Sequence, residues 1–526
     1  MKRMVLDRRA AGLLLHPTSL PGPYGIGDVG PAAHGFVDWL TEAGLSIWQV
    51  LPLGPTSFGD SPYQCFSAFA GNPLLVSPDL LVAEGLLTQE DIAPPAFPLA
   101  VDYGWVIVWK TDLLRRAHAR FAAGGFHSLA DRYAAFRNRP DVAYWLDDYA
   151  LFMACKDAHH GQPWNTWEPA LRAFQRDAVE AARAAHAPNI EYHRFAQFLF
   201  FDQWERLRAA CRERGITIIG DAPIYVAFDS ADTWAHQDLF LIGRDGNPTV
   251  VAGVPPDYFS ETGQLWGNPI YDWKRMARDD YAWWMARLRS TLALVDVIRL
   301  DHFRGFFGYW AVPFGAPTAE TGKWVKGPGQ KFFASIRKQL GDLPIIAEDL
   351  GDITEDVVEG RKKLGLPGMK VLQFAWSPVA TDPVVTDPNS GFLPYQHDPN
   401  QVVYTGTHDN DTTLGWWQNT STPAERLTMQ AYLATDGSAP HWDLMRAAFG
   451  SVANTAVVPV QDLLGLGSEA RMNYPGRAEG NWCWRLAEGQ LNRQHAQAIR
   501  GLALLYGRAA NPPEKAVPVP PKKPKY

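Results

Sequence analysis

Eight short runs of apolar and β-branched residues recur along the chain. Each ends in a polar or acidic position, and most lead into a stretch with helical spacing. They lie at 12–17, 46–52, 216–221, 294–301, 344–349, 369–375, 401–408 and 456–462. Continuous apolar runs of this kind mark strands buried on both faces of a parallel sheet. Helix-like segments at 32–43, 193–214, 281–291 and 329–340 fall between them. The alternation predicts an α/β fold, a (β/α)8 TIM barrel, whose site lies at the carboxyl ends of the strands.

The gap between the second and third runs is too long for one connection. It holds helix-like stretches at 110–123, 144–159 and 168–187, so a mostly helical insertion is expected at about 54–190. A second insertion, 228–281, carries Pro255-Pro256-Asp257-Tyr258 and Gly263-Gln264-Leu265-Trp266-Gly267-Asn268-Pro269, a composition typical of functional loops. A third spans 377–400. Residues 1–510 therefore read as one barrel with three insertions, and 511–526, rich in Pro and Lys, as a disordered tail. No internal repeat is seen.

With 46% apolar and 20% charged residues, the 526-residue chain reads as soluble and globular. Its 49 Lys+Arg against 56 Asp+Glu give a net charge of −7, which argues against nucleic acid or an anionic membrane as partner. Cys65, Cys155, Cys211 and Cys483 form no CxxC pair, so neither a zinc site nor a disulfide framework is expected, and the thiols are expected to be reduced. Lys2, Arg3, Arg8 and Arg9 precede an apolar stretch at 10–15 that is too short for a signal peptide. With no apolar run of transmembrane length either, a cytoplasmic location is expected. The 21 tryptophans are expected to divide about equally between the core and a groove. Their flat apolar faces suit sugars there.

The predicted strand ends supply Asp221, Arg299 with Asp301, Glu348 with Asp349, and His408 with Asp409. A single Asp after a strand is commonly a helix cap or a loop ion pair. Several acids converging on one barrel mouth repel each other, which makes a purely structural role a poor arrangement. Arg299 and Asp301 are two apart on a strand and share a face, so Arg299 could hold Asp301 ionised. Carboxylates with Arg and His suit glycosidic-bond chemistry, which needs one nucleophile and one protonated acid. Asp301 fits the first role. Glu348, following Ile345-Ile346-Ala347, fits the second, because desolvation and neighbouring acids raise its pKa. Asp409 either supports an oxocarbenium-like transition state or binds sugar hydroxyls. Divalent-metal chemistry, as in an enolase-like barrel, is the other use of such acids. It is disfavoured because the sixth run offers only Gln373, with no metal-binding Lys or His base. No metal and no cofactor are expected.

The series Arg299-Leu-Asp301-His-Phe-Arg-Gly, Ala347-Glu348-Asp349-Leu-Gly and Thr407-His408-Asp409-Asn-Asp resembles the 4-α-glucanotransferases (amylomaltases or disproportionating enzymes), the family-77 relatives of the α-amylases. Ser61-Pro62-Tyr63-Gln64, Gly220-Asp221-Ala-Pro-Ile-Tyr225-Val and the Gly263–Pro269 segment extend the likeness over about 12–480. The resemblance implies Asp301 as nucleophile, Glu348 as general acid/base and Asp409 as transition-state stabiliser. It implies Asp221, Arg299 and His408 around the donor sugar, with Tyr63 lining the donor side. Gln264, Trp266 and Asn268 would belong to a loop that covers the cleft, Trp266 being a sugar platform.

The implied reaction moves a segment of an α-1,4-glucan to the 4-hydroxyl of an acceptor glucan or of glucose, by a retaining double displacement through a covalent glucosyl-enzyme. The implied partners are α-1,4-glucans and maltooligosaccharides, in maltodextrin, starch or glycogen metabolism. Asp221-Ala-Pro-Ile lacks the Asn-His that follows the first conserved aspartate of amylases, and only about 60 residues follow the eighth run. Neither the amylases' appended β domain nor their calcium site is therefore expected. A hydrolase on the same scaffold and a non-catalytic glucan-binding protein are the competing readings.

Overall fold

The computed structural model describes residues 6–256, 260–380, 382–477 and 479–511. All eight expected strands are present: β1 (Ala10–Leu14), β2 (Ile47–Gln49), β3 (Thr217–Ala222), β4 (Val297–Leu300), β5 (Ile345–Ala347), β6 (Gly368–Val371), β7 (Gln401–Tyr404) and β8 (Thr455–Pro459). They form one parallel sheet in the order β6-β7-β8-β1-β2-β3-β4-β5. At the seam between β5 and β6, Ala347 N donates to Pro367 O at 2.9 Å and Met369 N donates to Asp349 Oδ1 at 2.8 Å. The protein is a (β/α)8 barrel.

Along each strand the two-residue period sorts side chains into two layers. Leu14, Ile47, Ile219, Val297, Ile346, Met369, Val402 and Val457 fill the barrel interior. Their neighbours Trp48, Ile218, Ile298, Ile345, Ala347, Val403 and Ala456 face outward into the helical layer. Continuing the count past the apolar runs places Asp221, Arg299 and Glu348 at the next inward positions and Asp349 at the next outward one. The pattern that builds the core thus also aims the polar groups. Register completes the placement: Asp221 lies directly opposite Arg299 across β3 and β4. Between the two layers, Gly220 faces outward, where a Cβ would come within 2.5 Å of Val295.

The 54–190 segment contributes helices Tyr103–Ala122, His127–Arg137, Leu146–Ala158 and Arg176–Ala185. All four pack on the 27-residue helix Ala187–Glu213, which leads into β3 and buries Phe195, Phe198, Phe201 and Trp204. The 228–281 segment adds strands Val250–Val254 and Gln264–Pro269. They join Gly308–Pro313 and Lys323–Lys326 in a four-stranded antiparallel sheet that the sequence reading did not anticipate. Between 377 and 400 lies a small hairpin, Pro378–Val379 with Asp382–Thr386. After β8 the described residues hold only short helical turns and helix Arg493–Leu505.

The core share of the tryptophans is close to expectation, twelve of the 21 being buried, but most of the others are part-buried and do not lie open in a groove. Trp48, Trp164, Trp204, Trp234, Trp284 and Trp376 are among the many that are buried, and only Trp105 and Trp324 are exposed. Long apolar helices and a second sheet give the barrel far more interior than its strands alone would provide, and the indoles fill it. Among the described residues no helix is long and apolar enough to cross a membrane. The expected disordered tail, apart from Asn511, lies outside the described residues, as do Asp257 and Tyr258.

Candidate active site

Arg299 is the hub of the barrel mouth. It is 3% exposed, and its Nη1 donates to Asp221 Oδ2 at 2.6 Å and to Asp301 Oδ1 at 2.8 Å. Strand register supplies the first contact. The second follows from Asp301 lying just past the end of β4, two residues on from Arg299. Nε points to Met369 Sδ at 3.4 Å. A guanidinium this buried needs anionic partners, and it has two. Asp221 Oδ2 also accepts from the Tyr63 hydroxyl at 2.9 Å, whereas its Oδ1 is buried without a hydrogen-bond partner. Burial and the Asp301 charge push the Asp221 carboxyl up to about 7, against the pull of Arg299.

Glu348 sits at the tip of β5. Its carboxyl accepts from His302 N at 2.7 Å and from Leu350 N at 2.8 Å. Its backbone is pinned as well, Glu348 N donating to Leu300 O and Phe303 N to Glu348 O. Arg299 and the two amides favour the ionised form, and burial, aided by Asp301, opposes them. Burial prevails, and the group is raised to about 7. His302 reaches Glu348 from a left-handed backbone, φ 48°, ψ 49°. Non-glycine residues rarely adopt that conformation, at a cost of about 1 kcal/mol. Burial and Arg304 push the His302 imidazole down to about 3, so it stays neutral.

On the opposite rim the rings of Tyr63 and His408 are stacked, with centroids 5.1 Å apart and planes at 12°. Trp482 leans on both. His408 Nε2 lies 3.3 Å from Asp409 Oδ2. Burial lowers the His408 pKa, with the Asp409 charge pulling the other way. Asp409 is partly open to solvent, and its Oδ1 accepts from Asn473 Nδ2 at 2.6 Å. The segment carrying Asn473 is itself tied down. Asn473 N donates to His408 O at 3.1 Å, and Arg471 Nη2 donates to Asp409 O at 2.6 Å.

Strand Gln264–Pro269 brings the remaining expected residues to the same mouth. Trp266 meets His302 edge-on at 4.8 Å and donates from Nε1 to Gln264 Oε1 at 3.1 Å. Asn268 exchanges amide hydrogen bonds with Gln64, at 3.1 and 3.4 Å, and donates to Val226 O at 2.8 Å. Asn268 is thus committed to joining the antiparallel sheet to the Tyr63 loop.

All ten expected site residues therefore converge on one mouth. Asp349, read with Glu348 as a strand-end acid, is turned away. Its Oδ1 accepts from Met369 N, and Oδ2 lies 2.9 Å from Arg361 Nε, so it serves the seam. Sequence reasoning missed His302, although it stands inside the Asp301-His-Phe-Arg-Gly motif, because nothing in the residue order reveals a backbone amide as the functional group. It also missed Asn473, which lies 64 residues from Asp409 in a polar loop without periodicity. Among the described residues no three His, Cys, Asp or Glu side chains group so as to hold a metal ion.

A family model described as 4-alpha-glucanotransferase matches residues 15–491. The 4-alpha-glucanotransferase of Thermus thermophilus is 51% identical over 504 residues, covering 94% of this chain and 98% of that protein. That of Synechocystis sp. is 46% identical, covering 96% of this chain and 99% of that protein. Among solved structures, the amylomaltase of Streptococcus agalactiae in complex with acarbose superposes with a TM-score of 0.90. It is 37% identical, covering 95% of this chain and all of that one.

Proposed function

The chain belongs to the 4-alpha-glucanotransferase family, glycosyltransferase-type enzymes of glucan metabolism, and from that premise we propose that it works by a retaining double displacement at Asp301 and Glu348. The observation that supports this is a contrast between two carboxyl groups in one mouth. Asp301 is ion-paired with Arg299, while Glu348 is buried and titrates near 7. Two acids in divergent environments are what nucleophile and proton donor require.

Asp301 attacks the anomeric carbon of the donor sugar while the bond from that carbon to the leaving oxygen breaks. The leaving oxygen takes the proton of Glu348, and a glucosyl ester on Asp301 results. Glu348, now a carboxylate, accepts the proton of the 4-hydroxyl of an acceptor glucan or of glucose. That oxygen attacks the same carbon, expels Asp301 and re-forms the α-1,4 bond with retained configuration.

Positive charge developing at the sugar ring is stabilised by Asp409, which Asn473 and His408 hold in place. Asp221 and His408 are assigned to the donor sugar, Asp221 acting through Tyr63 and Arg299, to which it is hydrogen-bonded, since its own side chain is fully buried. Tyr63 lines the donor side. Gln264, Trp266 and Asn268 hold the covering strand over the cleft and help exclude water, which at ~55 M competes with every acceptor.

Incubation with maltotriose tests the reading. A ladder of longer maltodextrins plus glucose is expected. Maltose and glucose alone would mean hydrolysis, and binding without products would mean a non-catalytic glucan-binding protein.

A further inference from the structure

The acid that ends the eighth apolar run has no part in the chemistry above. Asp462 lies in the helical turn Val460–Leu463, directly after β8, and is 1% exposed. Its carboxyl group accepts three hydrogen bonds. Thr405 Oγ1 donates to Oδ2 at 2.5 Å, Thr413 Oγ1 to Oδ2 at 2.7 Å, and Thr413 N to Oδ1 at 2.6 Å. These partners are neutral, and both threonines are fully buried. A carboxyl group in such a place is costly to desolvate, and an apolar side chain of similar size often serves stability as well. What the carboxyl supplies is geometry, because its two oxygens hold their donors at set positions.

Those donors stand at the two ends of one loop. Thr405 follows β7 immediately, and the chain returns at Thr413 after carrying His408 and Asp409 across the mouth. Asp462 therefore closes the loop at its base. Inside it, Asn410 Oδ1 accepts from Thr407 N and from Thr407 Oγ1, both at 2.9 Å, which forms a tighter turn around His408 and Asp409. The Asp409 side chain is 44% exposed, so packing alone does not fix it. The residue before Asp462 anchors the other half of the arrangement. Gln461 Nε2 donates to Ala470 O at 3.2 Å, three residues ahead of Asn473, whose side chain orients the Asp409 carboxyl. Adjacent side chains on one turn thus hold both the loop that carries Asp409 and the segment that meets it.

We propose that Asp462 is a positioning residue for the reaction: by closing the 405–413 loop it sets where the Asp409 carboxylate stands against the developing positive charge. The inference rests on the transferase reading above, with Asp409 as the stabilising acid. Asp462 is too deeply buried to touch a sugar, so it acts on kcat through Asp409 and leaves ground-state binding alone.

The test measures kcat and KM of the full chain with maltotriose, and with α-glucosyl fluoride as donor and maltose as acceptor, alongside thermal melting. Asp462→Ala is expected to lower kcat about a hundredfold with either donor while KM changes by at most about threefold, since small displacements of a reacting group cost rate on this scale. Asp462→Asn, which keeps the shape and one acceptor, is expected to recover about tenfold of that loss. Should Asp462→Ala fail to fold, Thr413→Val and Thr413→Ser answer the same question. The valine variant, lacking the hydroxyl, is expected to lose about tenfold in kcat, and the serine variant to keep the wild-type rate. A wild-type kcat in the folded Asp462→Ala or Thr413→Val protein makes Asp462 purely structural and overturns the proposal. So does a loss confined to KM, or to maltotriose alone, because charge stabilisation by Asp409 serves both donors. Absence of a maltodextrin ladder with the wild type would instead overturn the transferase reading.

Discussion

The amide of His302 donates to Glu348 Oε2 from a backbone held at φ 48°, and Leu350 supplies a matching donor to Oε1. Both bonds favour the carboxylate, yet burial outweighs them and Glu348 titrates near 7. A proton donor must be protonated in the free enzyme. Accordingly kcat/KM for maltotriose is expected to decline as pH rises through about 7. A rate that stays flat from pH 6 to 9 would remove Glu348 from the acid role.

The same groups affect stability. Glu348 and Asp221 are both raised to about 7 from ordinary values of 4.5 and 3.8. A carboxyl raised by folding favours the native state while it is protonated in both forms, below its ordinary value. That contribution is lost as pH climbs to the folded value, because the unfolded chain ionises more readily. Asp221→Asn removes one such group and still offers an amide oxygen to Arg299 and Tyr63. Relative to wild type, its unfolding free energy should gain roughly 1–3 kcal/mol between pH 4 and pH 8. Urea titrations at the two pH values measure this. A constant difference between the proteins would contradict it.

Asp301→Asn keeps the shape of the side chain and one acceptor for Arg299 but removes the nucleophile. Turnover of maltotriose should fall by roughly ten-thousand-fold or more, with near-wild-type melting. Glu348→Gln should cripple maltotriose turnover while leaving much of the first step with α-glucosyl fluoride, whose leaving group needs no proton. Mass spectrometry of that variant should then find a glucosyl ester on Asp301. Equal losses with both donors would argue against the assigned division of labour.

Asn473 is the neighbour that orients Asp409, at 2.6 Å. Asn473→Ala should lower kcat by roughly ten- to a hundredfold through loss of one hydrogen bond to a charged group, with a smaller change in KM. Asn473→Gln should restore part of the rate if the amide reaches. A variant in which KM alone changed would make Asn473 a sugar contact and not a positioning residue.

The barrel was legible because its signal is repetitive. Eight apolar runs needed only a two-residue count to reveal which side chains face inward, and that count carried through to Asp221, Arg299 and Glu348. The antiparallel sheet was not legible. Gly308–Pro313 alternates buried Tyr309 and Ala311 with part-exposed Trp310, but Lys323–Lys326 is an exposed edge strand without a hydrophobic face of its own. Its pairing is fixed by tertiary contact. Tryptophan content anticipated the buried half but not the place of the others: composition records how many indoles exist and says nothing of where each comes to rest. Asn473 was invisible because its role depends on which loop comes to rest against Asp409.

Glu348 and Asp349 are adjacent acids with opposite assignments, and exchanging the loss between them separates function from fold. Asp349 faces outward, accepts from Met369 N across the seam and pairs with Arg361, which is 7% exposed. Asp349→Ala leaves that guanidinium buried without its carboxylate and opens a ladder contact between β5 and β6. The unfolding free energy in urea should drop by about 3–5 kcal/mol, whereas kcat of the protein that remains folded should stay within a few-fold of wild type. Glu348→Gln should do the reverse, losing nearly all maltotriose turnover with a midpoint close to wild type. If Asp349→Ala abolished turnover without lowering stability, the parity argument that turns Asp349 away from the mouth would be wrong. The inward assignment of Glu348 would then fall with it, since both rest on the same alternation along β5.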